Sequence, residues 1–176
     1  EKIEFFKNEP MDFAPGEKYK YNNSGYILLG YIIEVVSGKK YAEYIDENFF
    51  KPLGMNNSFY GSTSDIIKDR AKGYQKQGGN YKNADFLNMS IPYAAGSLIS
   101  TVDDLYKWHD AVLHYKVLSK TTLDKAHSSY KLNNGKLAGY GYGWNLNDIE
   151  DNKAISHGGS VTGYPTFSLF LPEEDI

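Results

Sequence analysis

Two short motifs in this chain contain side chains that are common in catalytic sites: Tyr21-Asn22-Asn23 and His157-Gly158-Gly159. A phenol and an imidazole can each take up or release a proton, and glycine carries no side chain. Neither motif is specific by itself. A chain rich in tyrosine and asparagine produces Tyr-x-Asn by chance, asparagine often shapes turns, and His-Gly-Gly is more often a turn than a site. The significance of both motifs therefore depends on the segments around them.

The flanking segments resemble, in the same order, those of one enzyme family. The matching segments are Phe13-Ala-Pro-Gly16, Tyr26, Leu29-Gly30, Pro52-Leu-Gly-Met55, Ala95-Gly-Ser-Leu98, Ser100-Thr-Val-Asp-Asp104, Tyr142-Gly-Trp144 and Gly163-Tyr164. Together with the two motifs, they resemble the penicillin-recognising serine hydrolases, which comprise class C β-lactamases, penicillin-binding DD-peptidases and related esterases. The resemblance covers nearly the whole chain. It implies an α+β fold of the β-lactamase/transpeptidase type, with a helical region and part of an antiparallel sheet.

The resemblance also implies a role for each polar residue of the motifs. Tyr21 would relay the proton of a nucleophilic serine toward the leaving group. Asn23 would bind the substrate amide and steady a catalytic lysine. His157 takes the position that many members give to the lysine of Lys-Thr-Gly. This replacement disfavours recognition of a penicillin carboxylate and favours esters or D-amino acid peptides.

The residues after His157 would hold the acyl group, again by resemblance. Gly158 and Gly159 lack side chains, so a substrate could lie against the strand. The backbone N–H of Ser160 would be one oxyanion donor, with the second coming from the nucleophilic serine.

The nucleophile itself belongs to a Ser-x-x-Lys motif that should precede Tyr21, and the residues ahead of Tyr21 do not supply it. Ser37 with Lys40 and Ser128 with Lys131 have the right spacing but follow Tyr21, which is the wrong order. We therefore expect a piece of a serine hydrolase that acts by acyl-enzyme chemistry on β-lactam, D-amino acid peptide or ester substrates, inactive alone. The alternative is a non-catalytic module of the same fold that binds cell-wall peptides or a protein.

Helix signals dominate the first part of the chain. Ser24 is a candidate N-cap for a helix that ends at Ser37, where Gly38 supplies the stop. Because this segment is apolar on most faces, it is predicted to be central and buried. A second helix is predicted over residues 42–50.

Later signals divide the chain into two regions. Thr101 and Ser119 are predicted to cap two further helices, and residues 77–80 suggest a hairpin tip. Strand patterns follow over residues 139–144, 153–156 and 166–171. We therefore assign residues 1–135 to a mainly helical region and residues 136–176 to a strand-rich part of the sheet.

Composition excludes several other classes of function. The net charge is −3 without a basic stripe, so nucleic acid is not an expected partner. The longest apolar run, Tyr26 to Val36, is too short to span a bilayer. His109 and His114 are five residues apart, unlike a zinc-binding pair on a helix, and cysteine is absent. No metal or cofactor is therefore expected.

The expected partner is a small molecule or a peptidoglycan-type peptide. The family commonly works outside the cytoplasmic membrane, so the resemblance implies a parent protein in the bacterial cell envelope or outside the cell. The strand at residues 166–171 lies near the C-terminus and is predicted to leave an exposed edge. Such edges favour pairing between copies, so self-association is expected.

Overall fold

The computed structural model describes residues 3–174. The α-helices are Asn23–Ser37 (α1), Tyr41–Ile45 (α2), Val102–Leu113 (α3) and Lys120–Ala126 (α4). A π-helical turn, Asp46–Phe50, continues α2, and 3₁₀ turns lie at Ile3–Phe5 and Tyr93–Ala95. The strands pair antiparallel as Phe59–Tyr60 (β1) with Leu98–Ile99 (β4), Tyr74–Gln77 (β2) with Asn80–Asn83 (β3), and Ile155–Val161 (β5) with Tyr164–Phe170 (β6). The fold is α+β, as the sequence predicted.

The start of α1 differs from the prediction, whereas its end agrees with it. The side chain of Asn22, not Ser24, caps the helix by accepting a hydrogen bond from the Gly25 N–H at 2.8 Å. Ser24 instead lies inside the first turn. At the other end, Gly38 adopts a φ of +70°, and its N–H bonds to the Glu34 carbonyl at 2.9 Å. Glycine favours this left-handed conformation because it has no Cβ.

The prediction that α1 is buried on most faces is wrong for this chain. Among its residues, Gly30 is buried, because the helix lies against the turn at residues 93–95 there. A Cβ at Gly30 would come within 2.3 Å of the Ala94 Cβ, so only glycine allows this approach. On other faces Val35 is 64% exposed and Val36 is 82% exposed. Among the described residues, α1 therefore carries apolar side chains that no other element covers.

An aromatic cluster packs the start of α2 against α1. The ring centroids of Tyr41 and Tyr93 lie 5.3 Å apart, and those of Tyr41 and Tyr60 lie 6.1 Å apart. The Tyr41 N–H donates to the Glu34 carboxylate at 2.8 Å. Burial, with a smaller contribution from Tyr60, raises the pKa of Tyr41 to about 12. Burial raises the pKa of Tyr60 and Tyr93 as well, so all three rings remain neutral at physiological pH and behave as packing groups.

The helices α3 and α4 begin where the sequence predicted. Thr101 accepts a hydrogen bond from the Asp104 N–H, and Ser119 accepts one from the Thr122 N–H. The two helices bury Val112 on α3 and Leu123 and Ala126 on α4.

The observed strands differ in extent from the predicted ones. Residues 139–144 form turns with an isolated bridge between Tyr140 and Asn145, rather than a strand. β5 extends further than predicted and includes the whole His157-Gly158-Gly159 motif. The hairpin predicted around residues 77–80 is confirmed as the β2–β3 turn.

Candidate active site

The start of α1 fixes the positions of Tyr21 and Asn23. Tyr21 is the last residue before the Asn22 cap and is 52% exposed, whereas Asn23 is the first residue of the helix. Because the cap bond closes the first turn, both side chains are held at this end of α1.

His157 lies in the middle of β5, and its ring is close to that of Tyr21. The two ring centroids are 6.1 Å apart, with the planes inclined by 36°. Tyr21, Asn23 and residues 157–160 line one cleft with a volume of about 1740 Å³. A further wall is contributed by residues 94–96 and 98–101. The structure thus brings all six residues named in the sequence analysis into one cleft.

One edge of β5 is free of β6 and carries main-chain groups that can bind a ligand. On this edge Asn145 and Ser156 exchange two hydrogen bonds, of 2.8 Å and 3.0 Å. Successive residues of an antiparallel strand direct their N–H and C=O groups to alternate sides. Gly158 and Ser160 therefore direct their N–H groups to the same side as Ser156, away from β6. A carbonyl or an oxyanion in the cleft could accept hydrogen bonds from them.

The fold itself does not require glycine at position 158. A Cβ there would meet the Phe167 ring at 3.6 Å and the Thr166 carbonyl at 3.8 Å, which are ordinary contacts. The residue is exposed, and its φ is not among the positive values. Gly159 differs, because a Cβ there would lie 2.8 Å from the Thr166 hydroxyl. Packing therefore does not demand glycine at position 158, although the Gly158 main chain lines the cleft.

Tyr140 contacts the site and was not identified from the sequence. Its hydroxyl lies 2.8 Å from Nε2 of His157, and the residue is only 8% exposed. Its ring stacks on Tyr19 with centroids 5.1 Å apart and meets Tyr21 edge-on at 6.3 Å. The sequence contains a signal, since Tyr140 belongs to the glycine–aromatic segment 139–144. The alternating pattern there instead predicted a strand.

The environment of Tyr140 keeps its hydroxyl protonated. Burial raises the pKa of Tyr140, and the neighbouring phenols of Tyr26, Tyr19 and Tyr21 raise it further because a second phenolate would be repelled. At neutral pH the group beside His157 is therefore a neutral phenol that can donate a hydrogen bond.

Neither Ser-x-x-Lys sequence within the chain has the character of a nucleophile. The Ser37 hydroxyl donates to the Ile33 carbonyl at 2.6 Å, and the Ser128 hydroxyl donates to the Asp124 carbonyl at 2.5 Å. Ser128 borders a second hollow, of about 730 Å³, that Tyr21 also lines. It follows the end of α4, so Lys131 is not one helical turn from it on a common face.

The described residues contain no group of three or more His, Asp or Glu side chains that could hold a metal ion. Within residues 3–174, no helix is long and apolar enough to cross a membrane.

The helices, the antiparallel strands and the cleft between α1 and β5 correspond to the β-lactamase/transpeptidase-like fold. The family model described as Beta-lactamase matches residues 1–176. The chain therefore belongs to the β-lactamase family of penicillin-recognising serine hydrolases.

Individual relatives agree with this assignment. The chain is 32% identical to penicillin-binding protein 4* of Bacillus subtilis, over 95% of this chain and 40% of that protein. The octameric penicillin-binding protein homologue from Pyrococcus abyssi superposes with a TM-score of 0.80 at 34% identity, over 98% of this chain and 41% of that one. A D-stereospecific amidohydrolase from Streptomyces superposes with a TM-score of 0.78 at 25% identity, over 91% and 48%. The chain thus spans two fifths to one half of the length of these proteins.

Proposed function

We propose that this chain forms the proton-relay and substrate-binding part of a serine hydrolase that acts through an acyl-enzyme. The observation that carries the proposal is that one cleft is lined by Tyr21 on one wall and by His157 on the other. The free main-chain edge of β5 belongs to the same wall as His157. Acyl transfer needs a nucleophile, a proton acceptor and oxyanion donors around one reacting carbon. We propose that the cleft provides the last two and that the nucleophile comes from a Ser-x-x-Lys segment, which the residues ahead of Tyr21 do not contain.

The proposed roles follow from the position of each group. Tyr21 takes the serine proton and passes it to the leaving group, because its phenol is partly exposed and lines the cleft. Asn23 binds the amide of the substrate. The Ser160 N–H, directed away from β6, donates to the developing oxyanion. Gly158 and Gly159 carry no side chains, so the acyl group can lie against the strand.

For the substrate class, we propose D-aminoacyl amides, peptides or esters in preference to β-lactams. An imidazole at position 157 is a weaker partner for a penicillin carboxylate than a permanently charged lysine. The similarity to a D-stereospecific amidohydrolase supports the same class. The discriminating comparison is between the D and L forms of one amide, such as phenylalanine amide, with a penicillin as the third substrate.

The direct test uses a polypeptide in which a Ser-x-x-Lys segment precedes this chain. We expect turnover of D-phenylalanine amide to exceed that of the L form. Substitution of Tyr21→Phe should lower kcat/KM by about 10²-fold or more, because a general acid–base group is removed. Tyr19→Phe is the matched control, since Tyr19 is a neighbouring, partly exposed phenol that does not line this cleft. Equal rates for Tyr21→Phe and wild type would refute the proton-relay role.

The chain alone should form no covalent adduct. We expect intact-mass spectrometry to show only the unmodified 176-residue mass after incubation with fluorescent penicillin or an activated D-phenylalanine ester. An adduct on Ser37 or Ser128 would place the nucleophile inside the chain and overturn this part of the proposal.

A further inference from the structure

The hydroxyl of Tyr140 lies within hydrogen-bond distance of one of the two ring nitrogens of His157. The 2.8 Å contact to Nε2 is the hydrogen bond that the imidazole makes among the described residues. A neutral imidazole carries one proton, so whichever nitrogen accepts a hydrogen bond forces the proton onto the other. If Nε2 accepts a hydrogen bond, Nδ1 therefore carries the proton and acts as a donor.

The surroundings of Tyr140 fix the direction from which its hydroxyl approaches. Its ring stacks on Tyr19 and meets both Tyr21 and His157 at steep angles, so rotation of the ring would break three aromatic contacts. The backbone is held as well, because the Tyr130 N–H donates to the Tyr140 carbonyl at 3.1 Å. The next residue, Gly141, lies so close to Ala126 that a Cβ would be 2.1 Å from its carbonyl oxygen. The hydroxyl is thus presented from a rigid support.

From this geometry we propose that Tyr140 is a positioning residue. The same hydroxyl also hydrogen-bonds the phenol of Tyr26, and with Tyr26 as the donor to it, the Tyr140 O–H is left to donate to Nε2 of His157 and to hold the imidazole as the Nδ1–H tautomer. His157 then offers a fixed N–H donor, at the position where the resemblance places an ammonium donor in many family members, without carrying a permanent charge. The inference rests on the proposed function only for the use of this donor; the tautomer itself is a property of the chain.

A neutral donor at this position has a consequence for specificity. It can bind a substrate carbonyl or a weakly charged group, but it attracts a carboxylate less strongly than a cation does. By positioning this donor, Tyr140 therefore contributes to the binding of amide and ester carbonyls.

The test is long-range ¹H–¹⁵N NMR of the four histidines in the 176-residue chain, recorded in alkaline buffer, where imidazoles are neutral. In wild type we expect His157 to be predominantly Nδ1–H. In Tyr140→Phe, which removes only the hydroxyl, the tautomer ratio should move about fivefold or more toward that of free histidine, the equivalent of one neutral hydrogen bond. Tyr19→Phe keeps the stacked ring and should leave the ratio unchanged.

Each other outcome counts against the inference. A wild-type His157 that is mainly Nε2–H, or that has the ratio of free histidine, overturns it even if Tyr140→Phe does not fold. An unchanged ratio in a folded Tyr140→Phe also overturns it. Because the measurement needs no turnover, a negative result leaves the serine-hydrolase proposal standing, and an inactive enzyme leaves the tautomer assignment standing.

Discussion

Gly158 and Gly141 are both glycines near the cleft, but packing requires the absence of a side chain only at Gly141. At Gly158 a methyl group would make only ordinary contacts, whereas at Gly141 it would collide with the Ala126 carbonyl. We expect Gly158→Ala to leave the unfolding midpoint unchanged or slightly raised. Gly141→Ala should destabilise the fold by about 2 kcal/mol or more, since backbone must move. Urea unfolding checks both variants; equal stabilities would contradict the assignment.

His109 and His127 flank the ring of Trp144, with centroid distances of 6.0 Å and 5.5 Å. Burial lowers the pKa of both imidazoles, although Asp124 acts in the opposite direction on His127. A lowered folded-state pKa means that the unfolded chain binds protons more readily. The stabilisation is therefore complete above the unfolded value of about 6.5 and is lost as the pH falls below it.

Urea midpoints at pH 7.5 and pH 5.5 should accordingly differ, with the lower midpoint at pH 5.5. The drop should be smaller in His127→Leu, because the buried Nε2 of His127 has no hydrogen-bond partner among the described residues. His114→Gln is the control, since the His114 side chain is 68% exposed. The same drop in His127→Leu and in wild type would show that this residue does not sense pH.

At the scale of the elements, Asp104 joins α3 to the loop that follows α2. Its side chain is fully buried and accepts hydrogen bonds from the Asn57 N–H at 2.7 Å, the Ser58 hydroxyl at 2.9 Å and the Lys107 ammonium at 2.7 Å. Burial alone would raise the pKa of Asp104, but these three donors outweigh it and the pKa is lowered. Asn57 also lines the cleft, so this tie supports one wall of the site.

Asp104→Asn should lower the free energy of unfolding by about 2 kcal/mol. The amide NH₂ cannot accept a hydrogen bond, so one of the donors that now faces a carboxylate oxygen would face another donor. Asp103→Asn, at the exposed neighbouring position, should change it by less than about 0.5 kcal/mol. Chemical denaturation monitored by tryptophan fluorescence measures both. An Asp104→Asn variant that is as stable as wild type would show that these hydrogen bonds do not hold α3 to the loop.

The sequence predicted those elements whose signals are local. Thr101, Ser119 and Gly38 act at helix ends because capping depends on a few adjacent residues. The choice of Asn22 over Ser24 was not predictable in this way, since both are good caps and the extended backbone at Asn22 decides between them. Tyr140 escaped prediction for a different reason: its partner His157 is 17 residues away, and only folding brings them together.

At the scale of the whole molecule, the described surface is unusually apolar along α1 and β6. Val36 is 82% exposed on α1, and Phe167 is 68% exposed on β6. Among the described residues β6 pairs with β5 alone, which leaves its other edge open. Apolar surface next to an open strand edge favours association between copies.

We therefore expect the chain to self-associate in a concentration-dependent manner, as measured by light scattering and sedimentation velocity. Phe167→Lys should shift the equilibrium toward monomer, because a charge on the exposed edge strand opposes pairing. Tyr106→Lys introduces the same charge on α3, where the side chain is 72% exposed, and should have no effect. A wild-type chain that remains monomeric at millimolar concentration would contradict this expectation.

The central claim is that Tyr21 on α1 and His157 on β5 belong to one ligand site, and an NMR titration with D-phenylalanine amide tests it most directly. We expect the resonances of Tyr21 and Asn23 and those of residues 157–160 to shift together, with one saturation curve and one dissociation constant. We also expect a weaker response to the L form. Shifts confined to one wall, or two walls that saturate at different concentrations, would contradict the claim.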